Sequence, residues 1–157
     1  MEFRDRILNG IVLGLILFTY FLLTNFFRVS GQELFGWLGY VAYPLFVAAV
    51  VYRNELRGFL RVFKVSVLIC SLGAFVFAVL LFVYLNFFSD FMIQNALEIQ
   101  KLQLENAGVS EGEITRQMAE LNKRLTPTFY LYFTFVSGVI FGVFVSVLAG
   151  FFNFRNT

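Results

Sequence analysis

Carboxylates are the side chains of this 157-residue chain with the clearest potential for acid–base or metal chemistry. Six of them lie between residues 90 and 120, and paired carboxylates can transfer protons or hold a metal ion. Several stand three or four residues from a base, however, which is the spacing of helical ion pairs. The pairs are Glu98–Lys101, Glu113–Arg116 and Glu120–Arg124. We expect a solvated, salt-paired helix face here.

The remaining residue types argue against catalysis. The chain has no histidine, the most common general base and a common ligand for zinc, copper and haem. Its single cysteine, Cys70, lies in the middle of an apolar run, where a buried structural thiol is expected. The sequence therefore predicts no catalytic residue, no metal site and no cofactor.

A cluster of four bases is a candidate binding surface. Arg53, Arg57, Arg61 and Lys64 recur at spacings of four, four and three residues, which places them on one face of a helix. Apolar side chains occupy the opposite face, so residues 53–64 are predicted to form an amphipathic helix in the membrane interface. We expect the bases to contact anionic lipid headgroups, each contributing about 1 kcal/mol. The alternative is that they only fix the orientation of the chain.

Small residues recur every four positions in several apolar runs. Such stripes let helix backbones approach closely and associate by packing within lipid. Packing within the chain is the simpler interpretation, and a homo-oligomer interface is the alternative. The positions are Gly10 and Gly14, then Ser66, Cys70, Ala74 and Ala78, and finally Gly138, Gly142, Ser146 and Gly150.

Pro44 lies in the middle of the second apolar run. Because proline lacks a backbone N–H, it removes one helical hydrogen bond and is predicted to kink the helix. A packing kink tolerated by neighbouring helices is the simpler interpretation. The alternative is a hinge or a partly unwound substrate site.

Four stretches without Asp, Glu, Lys or Arg set the class of the protein. Each is close to the roughly 20 residues with which an α-helix crosses about 30 Å of hydrocarbon. Hydrophobic residues make up 59% of the chain, above the roughly 45–50% of soluble domains. The sequence predicts an all-α integral membrane protein, a four-helix bundle of one domain over residues 1–157. Its spans are expected at about 7–27, 34–52, 65–89 and 127–152.

Residues 90–125 are predicted to form a helical hairpin outside the membrane. The third span is expected to continue as one long helix to residue 106, and a second helix then returns with its apolar stripe against the first. The stop and start signals are Ala107–Gly108, the capping box of Ser110 and Glu113, and the N-cap of Thr126 with Pro127.

The distribution of bases predicts the orientation. They are dense near the N-terminus and between spans two and three, and sparse in the hairpin. Since cytoplasmic loops carry an excess of Lys and Arg, both termini are expected in the cytoplasm of a multi-pass protein of the bacterial inner membrane. A net charge of +2 is too small to indicate a nucleic-acid partner.

The layout resembles the small membrane proteins of domain of unknown function 4199, found mainly in Bacteroidota. The resemblance covers essentially the full chain and rests on layout features rather than on a catalytic signature. The resemblance does not indicate an activity or a functional residue. It does suggest a link to envelope lipid or glycan assembly, since relatives are often encoded near glycosyltransferases that act on polyprenyl phosphates. The features are the basic run VVYRNELRGFLRVFK, the long helix after span three, the restart at Pro127 and the last span SGVIFGVFVSVLAGFF.

A role without catalysis fits these observations best, because no ionisable group other than cysteine and tyrosine lies inside a span. We expect an accessory or scaffold subunit that holds a membrane protein partner or a second copy of itself. The alternative is a small transporter or lipid-handling protein, which would need a water-accessible cavity near the bilayer midplane.

Overall fold

The computed structural model describes residues 1–27 and 33–154, and within these ranges the chain forms six α-helices and no strand. The predicted all-α class is confirmed. Three of the helices, α1, α3 and α6, are long and apolar enough to cross a membrane, and α2 has a shorter apolar segment, Leu38–Arg53. The helices are α1 (Phe3–Phe26), α2 (Glu33–Arg53), α3 (Phe59–Phe87), α4 (Phe91–Asn106), α5 (Glu111–Arg124) and α6 (Pro127–Phe154).

Helix α3 is the central element and runs parallel to α1. A Cβ atom at Gly10 would lie 2.7 Å from the Cβ of Leu72, and one at Gly14 would lie 2.6 Å from that of Val76. Moving one turn along α1 therefore moves the contact one turn along α3 in the same direction. In this register a residue of α1 is level with the residue 62 positions later in α3.

Helix α6 packs on another side of α3 and runs antiparallel to it. A Cβ at Gly138 would lie 2.7 Å from that of Ala74, and one at Gly142 only 2.5 Å from that of Cys70. One turn further along the same face of α6, Ser146 is fully buried. The structure thus places two of the small-residue stripes face to face within one chain.

The last member of the α6 stripe, Gly150, lies where α3 begins. A Cβ there would meet the ring of Phe59 at 2.7 Å. All four small positions of α6 therefore face α3, and this face is not free to contact a second copy of the chain.

Helix α2 covers the remaining side of the core. Tyr43, Val47 and Val50 are buried in one cluster with Leu13 of α1 and Ile69 of α3. These side chains hold α2 against α1 and α3.

Pro44 lies exposed on the outer surface of α2. The helix is continuous through it, so the structure contains no unwound site at this position. A hinge motion at Pro44 stays a prediction.

The predicted continuous helix from the third span to residue 106 is wrong, because α3 ends at Phe87 and α4 begins at Phe91. The Ser89 hydroxyl accepts a hydrogen bond from the Phe91 N–H at 3.2 Å, and the Asp90 carboxylate accepts one from the Gln94 amide at 3.2 Å. Short polar side chains that bond nearby groups compete with a continuous helix. The Ser89 hydrogen bond is of this kind, because it engages the backbone N–H of Phe91 at the start of α4.

Helices α4 and α5 form the predicted hairpin and pack together. Ile93 of α4 and Ile114 of α5 are its most buried side chains, each 7% exposed. Gly108 adopts a φ of +72°, and the Val109 N–H donates to the Leu104 carbonyl at 3.2 Å. This is a glycine C-cap, so the predicted stop is confirmed.

Of the two predicted signals for a helix start, the Thr126 N-cap is confirmed and the Ser110 capping box is not. The Thr126 hydroxyl accepts a hydrogen bond from the Phe129 N–H at 3.2 Å, and α6 begins at Pro127, as predicted. Ser110 precedes α5 in extended conformation but makes no side-chain capping bond, so its predicted capping box is wrong.

Salt pairing on the hairpin is partly as expected. Arg116 and Glu113 pair at 3.8 Å, but Lys101 pairs with Glu105 at 3.7 Å rather than with Glu98. The pairs are exposed and of i,i+3 or i,i+4 type, so each contributes only about 0.3–0.5 kcal/mol.

The closest contact of the bundle gives a test. Gly142→Ala places a methyl group 2.5 Å from the Cys70 Cβ, and such overpacking costs about 1–3 kcal/mol. We expect lower thermal stability in detergent, measured by circular dichroism. Gly112→Ala is the matched control, because nothing lies within 4 Å of its Cβ in α5 and alanine favours the helix by about 1 kcal/mol. Equal stability of the two variants would contradict the close contact.

Candidate functional site

The segment predicted as an interfacial helix over residues 53–64 is instead a turn followed by the start of α3. Helix α2 ends at Arg53, α3 begins at Phe59, and residues 54–58 are not helical. Glu55 has a φ of +46°, and the Leu56 N–H donates to the Val51 carbonyl at 3.1 Å. This is a helix C-cap with Glu55 where glycine is usual. The predicted interfacial helix is wrong, because the chain reverses here.

The turn is fixed by burial and by amide side chains. Leu56 is 2% exposed and belongs to the main core cluster. The Asn54 amide donates to the Val50 carbonyl at 2.9 Å, and the Asn153 amide of α6 donates to the Leu56 carbonyl. The turn is therefore tied to the end of α6. We call this end of the bundle, where α1 and α3 begin and α2 and α6 end, the basic end.

All four bases of the predicted lipid surface are exposed at the basic end. Arg53 is the last residue of α2, Arg57 lies in the turn, and Arg61 and Lys64 lie in the first two turns of α3. Only Arg61 and Lys64 share a helix face. Among the described residues none of the four forms an ion pair. Contact with anionic headgroups stays a prediction.

A fifth base, Arg6, is a candidate that the sequence analysis missed. It is half-buried, and its Nη2 donates to the Met1 carbonyl at 3.2 Å. Its Nε is buried without a hydrogen-bond partner among the described residues. The sequence feature that could have identified Arg6 is its position four residues before Gly10, on the same helix stripe as Gly14.

Acids at the basic end are few. The Asp5 carboxylate accepts a hydrogen bond from the Glu2 N–H at 3.2 Å and caps the start of α1. Glu55 is exposed in the turn. Over residues 1–6 and 53–64, six bases therefore face three acids, and the surface attracts anions.

Two of the buried hydroxyl groups of the bundle bond within their own helices. The Ser146 hydroxyl donates to the Gly142 carbonyl at 2.6 Å, and the Thr24 hydroxyl donates to the Phe21 carbonyl at 2.9 Å. Cys70 is fully buried in the same core cluster as Tyr43. In the part of the chain that the structure describes, no three potential metal ligands gather.

Two further features lie towards the other end of the bundle. The Asn25 amide of α1 donates to the Tyr84 hydroxyl of α3 at 2.7 Å. An open groove of about 360 Å³ follows the outer face of α6 and is almost entirely apolar. Its lining suits contact with lipid chains. The residues are Phe129, Tyr132, Phe133, Val136, Ser137 and Ile140.

A family model described as "Protein of unknown function (DUF4199)" matches residues 8–155. The chain belongs to this family. The match begins after Arg6 and includes every helix-packing glycine and the turn at the basic end. It confirms the resemblance seen in the sequence, and the family description carries no activity. No curated protein and no solved structure matches the chain.

The strained turn gives a second test. A non-glycine residue in the left-handed region costs about 1–2 kcal/mol, so Glu55→Gly should stabilise the protein by about 0.5–1 kcal/mol after the entropy of glycine is subtracted. Glu55→Ala removes the same charge but keeps the Cβ, and it should give no such gain. The two unfolding midpoints in detergent decide between backbone strain and charge. Equal shifts would contradict strain.

Proposed function

We propose that the protein crosses the bacterial inner membrane four times and acts as a non-catalytic accessory or scaffold subunit. Helices α1, α2, α3 and α6 are the spans, and α4 and α5 form a hairpin on the outer side. Envelope lipid or glycan assembly is the setting that the family resemblance favours.

The parallel arrangement of α1 and α3 supports a fourth span. If both cross the membrane in the same direction, the chain has to return between them, and α2 is the described helix that lies there. Residues 34–52 are free of charge, and 19 helical residues extend about 28 Å, close to the hydrocarbon thickness.

The attachment of the hairpin to the bundle is the observation that carries the scaffold role. Ile93 of α4 shares a buried cluster with Phe21 of α1, Leu85 of α3 and Tyr130 of α6. The base of the hairpin is thus packed against the bundle. A helical hairpin anchored at its base presents a partner surface with less orientational freedom than a flexible loop, which reduces the entropy cost of binding.

The outer face of α4 is the partner surface that we propose. Ile99 and Leu102 are 37% and 51% exposed and stand three residues apart on one face. Exposed apolar side chains on a water-facing helix are typical of partner contacts.

The transporter alternative is less well supported by the geometry. The α1–α3 and α3–α6 contacts are too close for a Cβ at Gly14 or Gly142. Buried hydroxyls such as Ser146 are satisfied by their own helix rather than directed towards a permeation path. Close packing of this kind favours a rigid bundle.

Thiol labelling tests the topology. In a Cys70→Ser background, Gly112→Cys in the hairpin should react with an impermeant thiol reagent added to intact cells. Arg57→Cys, which is exposed in the turn at the basic end, should react only after permeabilisation, because α2 returns the chain to the inner side. The C-terminus itself lies outside the described residues, so a reporter fused there tests the expected cytoplasmic location. The opposite labelling pattern would mean that the orientation is inverted.

Crosslinking in native membranes tests the scaffold role. The tagged full-length protein should capture a reproducible membrane protein partner, and the Ile99→Asn/Leu102→Asn double variant should reduce that capture by about tenfold. The control is Thr115→Asn/Ala119→Asn, which changes two exposed residues four apart on α5 and should capture as well as the wild type. Undiminished capture by the α4 variant would contradict the proposed surface.

A further inference from the structure

We call the line along which α1 and α3 contact each other the seam. The register of the two helices brings three bases to it. Arg6 is level with Leu68 of α3, because the helices are offset by 62 positions. Lys64 stands one turn before Leu68 on the same face of α3, and Arg61 is three residues before Lys64. The facing surfaces of α1 and α3 therefore carry Arg6, Arg61 and Lys64 at the point where the seam reaches the basic end.

The Arg6 guanidinium has an unmet hydrogen-bonding requirement. Nη2 donates to the Met1 carbonyl, which directs the side chain towards the membrane surface, as expected of a snorkelling arginine. Nε is fully buried and has no acceptor in the described chain. A charged donor without a partner is costly. Nη1 donates to no acceptor in the described chain and is not among its buried atoms, so it is the guanidinium nitrogen that an acceptor from outside the chain can reach.

The acids of this end do not supply that acceptor. Asp5 accepts the Glu2 N–H, and the Glu2 carboxylate accepts the Asp5 N–H in the capping box at the start of α1. The described ion pairs all lie on the hairpin. Glu55 lies in the turn after α2 rather than on the seam. The three bases of the seam therefore keep a net positive charge.

We propose that the seam binds the phosphate of one anionic glycerophospholipid headgroup. The guanidinium of Arg6 presents a planar fork that matches phosphate oxygens, and Arg61 and Lys64 complete the positive site. Basic pockets between membrane helices bind lipid headgroups in this way. This proposal is independent of the scaffold role.

The test counts lipids on the intact protein. The full-length chain is reconstituted in nanodiscs of phosphatidylcholine with increasing phosphatidylglycerol, and native mass spectrometry measures retained phosphatidylglycerol. We expect one saturable lipid, with about tenfold weaker apparent affinity in Arg6→Gln and in Lys64→Gln. The matched controls Arg53→Gln and Arg57→Gln remove one exposed base each from the same end but outside the seam, and should weaken binding by less than about threefold.

Further measurements distinguish a lipid phosphate from free inorganic phosphate and check that the variants fold. Inorganic phosphate should not displace the retained lipid, and competition at millimolar phosphate would overturn a lipid site. Arg6→Lys keeps the charge but loses the fork, and should fall between wild type and Arg6→Gln. Thermal unfolding in phosphatidylcholine alone checks that the variants fold. If Arg6→Gln does not fold, Lys64→Gln is compared with the controls instead. Equal losses in seam and control variants, or no saturable lipid, would overturn the proposal.

Discussion

Helix α3 touches α1 and α6 at positions where a single extra carbon has no room. Gly14 and Gly142 mark these contacts, at 2.6 Å and 2.5 Å from the neighbouring side chains for an added Cβ. In lipid the hydrophobic effect does not hold helices together, so close backbone packing has to do so. The glycines therefore set the distance, the register and the direction of the helices around α3, and the rest of the structure follows from that arrangement.

Several features depend on this packing. Parallel α1 and α3 require a returning element, which α2 provides, and antiparallel α6 brings Asn153 to the turn carbonyl of Leu56. The same register aligns Arg6 with the first turns of α3 at the basic end. At the opposite end, Ile93 is buried in one cluster with residues of α1, α3 and α6, so the base of the hairpin packs against the bundle. Both proposed binding surfaces are thus consequences of one set of contacts.

Periodic features could be predicted from the sequence, and local reversals could not. Glycine stripes, the Gly108 stop and the Thr126 cap follow from spacing and from residue type. The turn after Arg53 was missed because the bases keep helical spacing through it, while Glu55 adopts a left-handed conformation that its residue type does not indicate. The break after α3 coincides with a hydrogen bond from the Phe91 N–H to the Ser89 hydroxyl, which the apolar periodicity does not indicate. Arg6 became a site residue only through the register of two helices, which no single helix pattern contains.

Disulfide formation between α3 and α6 tests the central packing most directly. Ser146 is fully buried one turn after Gly142, on the face of α6 that meets Cys70, so Ser146→Cys should form an intramolecular disulfide with Cys70 on oxidation in membranes. Trypsin cleavage at exposed hairpin sites such as Lys101 and Arg116 would then leave the α3 and α6 fragments joined until reduction. Val143→Cys, exposed on another face of α6, should leave them separate. Crosslinking of Ser146→Cys only between two chains would contradict the account, because the stripe would then be an oligomer interface.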